Sequence, residues 1–309
     1  MAPHAETIDH EHYHPPGLQH QFEDMKQQEE SVSIGMWLFL AQEIMFFGGL
    51  FTAYLVFRSR FPMAFAAGSN HLDAFWGGLN TLVLIVSSLT MALTVFYAQK
   101  GNRNMQVILI VLTMFFGAVF LGVKVIEYKD KYDHGLIPVA GWNKVIPEGA
   151  HVQASGHARL VLPFETSAAA AETETAGDGV HPNPHGNFQI EDKDLELVEE
   201  AVAGGYLTQS EQIGYFNPST GKVDKARFQD KVKIFFFIYF VMTGLHALHM
   251  IVGLGLMLWL LVKAWLGTFS ADYFAPVEMS GLYWHFVDIV WIFLFPLLYL
   301  LGRHFLQPH

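Results

Sequence analysis

Five long runs of apolar residues dominate the hydrophobic pattern of the chain. A helix needs roughly 20 apolar residues to cross a bilayer. Polar segments separate the five runs, which cover residues 34–57, 77–98, 105–126, 234–262 and 281–302. The pattern therefore predicts an all-α fold, a polytopic membrane bundle of five transmembrane helices.

Polar sequence precedes and interrupts these spans. A His-rich tail occupies residues 1–33, and an acidic insertion of about a hundred residues, 127–231, separates the third span from the fourth. Its flexible, weakly hydrophobic stretches are typical of extramembrane sequence. The predicted organisation is thus the tail, spans one to three in 34–126, the insertion, and the last two spans with a short C-terminal tail in 232–309.

Composition agrees with a membrane location and narrows the chemistry. Only 15% of the 309 residues are charged, against about 25% in ordinary soluble domains. The chain has no cysteine, which excludes disulfides, thiolate metal sites and cysteine nucleophiles. Most of the net charge of −11 falls in the insertion, and no basic stripe suggests nucleic acid. The tail histidines could bind a metal ion, but scattered histidines in polar tails usually do not, so no metal site is expected.

Glu43 lies well inside the first span, which reads IGMWLFLAQEIMFFGGLFTAYLVF. A carboxyl group at this depth is tolerated only if it is neutral, paired or reached by water. The span contains no Lys, Arg or His that could pair with it. The stabilising group must be water, its own proton or a neighbouring helix. We therefore predict that Glu43 is a proton-linked group or a polar contact with another subunit.

Two histidines lie three residues apart in the fourth span. His246 and His249 share one helix face, and membrane histidines can ligate haem. Neighbours on one face cannot lie on opposite sides of a porphyrin, so a haem would need His285 of the fifth span as well. The alternative is that both are buried imidazoles, hydrogen-bonded to neighbouring helices. No haem is expected in this chain.

The other intramembrane polar residues also have a functional and a structural interpretation. His285 and Asp288 are three residues apart, so their side chains could meet as a proton relay or as a lock between helices. Lys124 and Glu127 have the same spacing at the end of the third span, where they could reach water or each other. The second span carries a seam of polar residues that suits close helix packing: Asn80, Ser87, Ser88, Thr90 and Thr94.

Five segments resemble, in the same order, the characteristic segments of subunit III of haem–copper terminal oxidases. They read GMWLFLAQEIMFFGGLFTAY, GLNTLVLIVSSLTMA, FLGVKVIEY, TGLHALHMIVG and YWHFVDIVWIFLFPLLY, and they cover all five spans. The resemblance implies the five-helix branch of that family, since longer members have two further helices before these segments. Glu43 falls on the family's carbodiimide-reactive intramembrane carboxylate. Lys124 stands where the family usually has an uncharged residue, often Gln.

The resemblance also implies a function in the aerobic respiratory chain. Subunit III of a cytochrome c oxidase carries no haem or copper, packs beside subunit I, binds phospholipid and supports proton uptake. Its expected partners are oxidase subunits I and II and membrane lipids, and the insertion 127–231 could dock cytochrome c or a quinol-oxidising complex. The alternatives are a quinol oxidase subunit III and a homologue that serves nitric oxide reductase.

Orientation in the membrane rests on the resemblance as well. Arg58 and Arg60 on one side balance Lys100 and Arg103 on the other, so the positive-inside rule decides little. The family implies a bacterial cytoplasmic membrane, with the N-terminus in the cytoplasm and the insertion and C-terminus on the outer face. A stand-alone transporter would show internal repeats or paired half-helices, and neither is visible in the sequence.

Overall fold

The computed structural model describes residues 18–139, 223–270 and 273–301, with seven further positions between 195 and 219. The first 17 residues and most of the predicted insertion lie outside the described residues. The described ranges contain, in chain order, α1 (Met25–Arg60), α2 (Pro62–Asn70), α3 (Ala74–Gln99), α4 (Arg103–Asp133), α5 (Lys225–Trp265) and α6 (Ala275–Phe295), followed by a π-helical turn, Pro296–Leu300.

Five of these helices are long and apolar enough to cross a membrane, and they coincide with the five predicted spans. Within the described ranges no β-strand occurs, and Ser270 and Tyr273 form an isolated bridge. The prediction of an all-α bundle with five transmembrane helices is confirmed. The chain is an integral membrane protein.

Side-chain caps start four of the long helices outside their apolar cores. The helical segments begin after Asp24, Asp73, Asn102 and Asp224, and each of these side chains accepts a hydrogen bond from a backbone N–H of the first turn. Such caps satisfy amide groups that have no partner within the helix. As a result α1 begins inside the predicted tail, and α5 begins inside the predicted insertion.

Trp284 of α6 fills the space where three long helices meet. Its ring is fully buried, and its indole N–H donates to Ser87 Oγ of α3 over 2.9 Å. A Cβ atom added to Gly117 of α4 would lie 2.8 Å from the Trp284 ring, and one added to Gly253 of α5 would lie 3.0 Å from it. Two glycines therefore make room for this buried tryptophan.

The first two helices hold the end of α6. Pro296 has no N–H, and the turn that follows it is π-helical. Three carbonyl groups there accept side-chain hydrogen bonds from outside the helix: Leu297 from Tyr54 at 2.6 Å, Leu298 from Ser69 at 2.8 Å and Leu301 from Arg58 at 2.6 Å. These bonds attach α1 and α2 to the C-terminal turn.

Part of the insertion folds onto the bundle. Tyr215 is fully buried, and its hydroxyl accepts a hydrogen bond from the Ala64 backbone N–H of α2 at 3.4 Å. Its ring lies 5.6 Å from that of Phe228 in α5. Tyr215 therefore packs as part of the membrane domain.

Candidate functional site

Glu43 of α1 meets His249 of α5 in the middle of the bundle. The Glu43 Oε2 atom lies 3.2 Å from His249 Nε2, and the two side chains are 13% and 17% exposed. The first span has no basic partner, as expected from the sequence, and the neighbouring helix supplies one. Glu43 and His249 lie 206 positions apart in the chain, so no local pattern connects them.

The second ring nitrogen of His249 fixes how many protons this pair holds. His249 Nδ1 lies 2.8 Å from the Leu245 carbonyl oxygen. A carbonyl only accepts, so Nδ1 must carry a hydrogen atom. The contact between Nε2 and Oε2 then needs one further proton, either as a neutral acid facing a neutral imidazole or as a carboxylate facing an imidazolium. Both forms have zero net charge, which is the condition for holding ionisable groups at this depth.

Aromatic side chains of α1 and α6 surround the pair. The ring of Phe47 lies 5.3 Å from His249 and 6.2 Å from Phe286. The Tyr283 hydroxyl donates to the His249 backbone carbonyl at 3.0 Å. The pair therefore joins α1 to α5, while α6 supports it from the other side.

His246 differs from the sequence-based interpretation, which expected hydrogen bonds to neighbouring helices. The side chain is buried, and within the described residues neither ring nitrogen has a hydrogen-bond partner. Instead the imidazole packs against the rings of Phe120 at 5.4 Å and Trp291 at 5.2 Å. The structure thus places His246 in an aromatic cluster and His249 against Glu43.

Lys124 and Glu127 form the centre of a second polar cluster. Lys124 Nζ lies 2.7 Å from Glu127 Oε2 and 2.6 Å from the Tyr299 hydroxyl, and it sits 4.3 Å from the Trp291 ring centre. Tyr239 donates to Glu127 Oε1 at 2.9 Å, and Tyr299 donates to the same atom. The side chain of Lys124 is only 4% exposed. Of the two partners expected for these residues, water or each other, the structure shows the contact with each other.

A third polar group lies between α3 and α6. His285 Nδ1 lies 2.6 Å from the Ser88 hydroxyl, so the imidazole bonds to the adjacent helix rather than to Asp288. Ser88 is also a polar neighbour of Asp288, but neither carboxylate oxygen completes a hydrogen bond of ordinary geometry within the described residues. The expected contact between His285 and Asp288 does not form, because sharing a helix face does not ensure that the side chains turn toward each other.

The remaining seam residues of α3 face α4 and α6. Asn80 Nδ2 reaches the Phe120 carbonyl at 3.5 Å, and Thr90 lies 2.7 Å from Thr113. The Ser87 hydroxyl accepts a hydrogen bond from the indole N–H of Trp284. These contacts join helices, and they place no reactive group near an open site.

In the portion of the chain that the structure describes, no three His, Asp or Glu side chains converge as ligands for one ion.

The sequence analysis missed Tyr239 and Tyr299 as partners of Glu127. The sequence feature that could have predicted these contacts is a tyrosine inside an apolar span. A buried tyrosine hydroxyl usually needs a hydrogen-bond partner.

Comparison with known proteins identifies the family. The family model described as cytochrome c oxidase subunit III matches residues 198–303, the part that contains His249, Asp288 and Tyr299. The cytochrome c oxidase subunit 3 of Thermostichus vulcanus is 25% identical over 300 residues, which cover 97% of this chain and 94% of that protein.

Two further relatives are informative. The cytochrome c oxidase subunit 3 of Corynebacterium diphtheriae is 34% identical over 144 residues, 44% of this chain and 70% of that protein. The probable quinol oxidase subunit 3 of Staphylococcus haemolyticus is 21% identical over 270 residues, 87% of this chain and 88% of that protein. With the five-helix membrane fold, these matches show that the chain belongs to the cytochrome c oxidase subunit III family of the haem–copper oxidases.

Proposed function

We propose that the chain is the non-redox subunit of a cytochrome c oxidase, where it stabilises catalytic subunit I and supports proton uptake. The starting point is its place in the oxidase subunit III family. The observation that supports the proposal is the contact of Glu43 with His249 between α1 and α5. Haem and copper belong to the partner subunits I and II.

The pair can handle a proton without charging the membrane interior. Moving the proton between Glu43 Oε2 and His249 Nε2 changes the form of the pair but keeps its net charge at zero. This exchange needs no metal and no substrate, so Glu43 is not a catalytic residue in oxygen chemistry. Its role in this proposal is to supply or buffer a proton for the subunit beside it.

The pair also holds α1 in place. Of the five membrane-crossing helices α1 is the least buried within this chain, and large apolar side chains such as Trp37, Leu38 and Met45 remain exposed on it. Lipid and subunit I are the proposed neighbours of that surface, with bound phospholipid part of the assembly. A helix with so little internal packing depends more strongly on a few specific contacts.

Cytochrome c is the proposed electron donor of the complex. The acidity of the insertion supports this choice, because negative charge raises the encounter rate with a basic donor surface. Quinol is the second candidate, since the Staphylococcus haemolyticus relative is a probable quinol oxidase subunit. The nitric oxide reductase homologue has no comparable support. We place the protein in a bacterial cytoplasmic membrane, with the N-terminus inside and the insertion and C-terminus outside.

Substitution of Glu43 tests the proposal. Glu43→Gln retains a group that can donate to His249 Nε2 but cannot titrate, whereas Glu43→Ala removes both properties. We expect oxidase complexes that carry either variant to keep normal haem spectra and to take up protons more slowly during turnover. We also expect the Glu43→Ala subunit to dissociate from the complex in detergent. Glu30→Gln, on the exposed part of the same helix, is the matched control.

Two results would contradict the proposal. Normal proton uptake in Glu43→Gln would show that the pair is only a packing contact. Loss of haem from subunit I in Glu43→Gln would instead indicate a role in cofactor assembly. As a separate check, the chain purified by itself should show no Soret absorption, and a stoichiometric haem band lost in His246→Ala or His249→Ala would exclude a non-redox subunit.

A further inference from the structure

Two adjacent glycines divide α1 into two parts. Gly48 and Gly49 lie inside the continuous helix Met25–Arg60, and among the described residues a Cβ atom added to either would meet nothing within 4 Å. Packing within this part of the chain therefore does not require glycine at these positions. Glycine weakens the interior of a helix relative to alanine, because its backbone loses more conformational freedom on folding.

Thr52 adds a second cause of bending at the same place. Its hydroxyl donates to the Gly48 backbone carbonyl at 2.8 Å, four residues earlier in the helix. A threonine side chain that bonds to this carbonyl competes with the backbone amide and often bends the helix. Glycine is itself among the recognised causes of sharp helix kinks. The weakest point of α1 against bending is therefore at Gly48 and Gly49.

The part of α1 after the glycines, residues 50–60, is attached to the end of α6 and is called the anchored segment here. Tyr54 is fully buried, and its hydroxyl donates to the Leu297 carbonyl at 2.6 Å. Arg58 donates to the Leu301 carbonyl at 2.6 Å. These hydrogen bonds fix the anchored segment to the C-terminal turn.

The part of α1 before the glycines, residues 25–47, is called the arm here and is less strongly held. Most of its side chains are exposed or half-buried, and its buried residues are Gln28, Leu40 and Phe47. The ring of Phe39 stacks on Tyr283 of α6 at 5.9 Å. Glu43 reaches His249 of α5 at 3.2 Å. The Glu43–His249 contact thus lies on the arm side of the two glycines, and the anchored segment lies on the other side.

We propose that the arm bends at Gly48 and Gly49, and that the contact of Glu43 with His249 is the latch that holds it against α5. Movement of the arm makes or breaks this contact while the anchored segment stays in place. The hinge thereby controls whether the two side chains can share a proton. The proposal rests on the geometry of the contact and does not depend on the support of proton uptake.

The length of the arm sets the size of the movement. Leu38 lies ten positions before Gly48, which is about 15 Å along the axis at 1.5 Å per residue. A bend of about 20° at the glycines, the lower limit of a sharp kink, would move Leu38 by about 5 Å. A change of this size is measurable as a distance between two spin labels.

Pairs of spin labels on α1 and α4 test the movement. The chain has no cysteine, so two introduced cysteines carry the labels only at the chosen positions. The arm pair joins Leu38 to Ile108, and the anchor pair joins Leu55 to Val125; all four side chains are exposed. Pulsed electron paramagnetic resonance of the full-length chain in lipid nanodiscs gives both distance distributions.

Removal of the latch should free the arm alone. We expect Glu43→Ala to widen the distribution of the arm pair by about 5 Å, while the distribution of the anchor pair stays as in wild type. Equal widening at both pairs would show that α1 detaches as a whole. An arm pair with the width of wild type would show that the contact is not a latch. Either result would overturn the proposal.

Alanine at the two glycines tests the hinge itself. Added to Glu43→Ala, the substitutions Gly48→Ala and Gly49→Ala should remove at least half of the extra width, because alanine favours the helical backbone. Gly35→Ala is the matched control, since Gly35 also has open space but lies outside the segment between latch and anchor. It should leave the extra width unchanged. An equal effect of Gly35→Ala, or no effect of the glycine pair, would overturn the proposal. The readout is a distance, so normal proton uptake in Glu43→Gln would not alter the result.

Discussion

Lys124 illustrates how one residue can carry a charge inside a membrane helix. Its ammonium group contacts Glu127, the Tyr299 hydroxyl and the face of Trp291. Paired charges with further hydrogen bonds tolerate burial, but removal of one partner leaves an uncompensated charge. An uncharged residue at this position would not need Glu127 as a counter-ion. Lys124 and Glu127 should therefore depend on each other energetically.

The first prediction concerns this dependence. Lys124→Met leaves the Glu127 carboxylate buried with only tyrosine donors, and should lower the free energy of unfolding by about 3 kcal/mol or more. Adding Glu127→Gln restores most of that loss, because a neutral amide oxygen still accepts from Tyr239 and Tyr299. Thermal unfolding in detergent measures both, with Lys100→Met at an exposed position as control. Additive losses in the double variant would show that the two residues act independently.

At the residue scale, the sequence identifies the important polar residues better than it identifies their contacts. The three-residue spacing correctly brings Lys124 to Glu127, because both lie on one helix. Glu43 and His249 come from different helices, and helix rotation about its own axis decides whether they meet. Even within one helix the orientation of the side chains decides the contact, and His285 turns to Ser88 and not to Asp288.

The contact between α4 and α6 shows how the elements fit together. Gly117 faces Trp284 closely, whereas an added Cβ at Gly122, five residues further along the same helix, would meet nothing within 4 Å. The two glycines therefore have different roles in one helix. The first permits close packing, and the second leaves open surface.

The second prediction compares these glycines. Gly117→Ala forces the new methyl group into the Trp284 ring and should cost about 1–3 kcal/mol of stability. Gly122→Ala has room, and alanine favours the helix by up to about 1 kcal/mol over glycine. Melting temperatures of the purified variants in one detergent give the comparison. A Gly117→Ala variant as stable as Gly122→Ala would show that Trp284 moves aside without cost.

The lengths of the apolar runs predicted the five spans but not the caps and turns at the ends of the helices. Apolar length alone locates a bilayer-crossing helix, whereas the caps at Asp24 and Asp224 extend α1 and α5 into polar sequence. The short α2 carries seven buried residues in a nine-residue helix, too short to stand out as a span. The π-helical turn after Pro296 depends on donors from α1 and α2, which only the folded chain brings together.

At the scale of the whole molecule, the acidic insertion 127–231 is the longest segment between the five spans. The third prediction removes residues 145–190, which spares the buried Val198 and Tyr215. If the acidic segment steers a basic donor, the deletion should slow cytochrome c oxidation at low salt and have little effect at high salt, where charges are screened. Haem content of the purified complex is the control. Unchanged kinetics at low salt would leave residues 145–190 without a docking role.

Membership of the oxidase family ties the other observations together. The chain belongs to an oxidoreductase complex, and many of its buried polar residues make contacts within the bundle. Glu43 and His249 meet between α1 and α5, and we propose that the support of proton uptake resides at this contact. If the two residues form one unit, loss of either should remove the whole function of the pair.

The most direct test measures the number of turnovers that purified oxidase completes before half of its activity is lost. Three variants are compared with wild type: Glu43→Ala, His249→Ala and the double variant. We expect each single variant to shorten this active lifetime while haem spectra stay normal, and the double variant to be no worse than the worse single one, because residues of one unit are not additive. Single variants with wild-type lifetimes, or losses that multiply in the double variant, would contradict a shared role for Glu43 and His249.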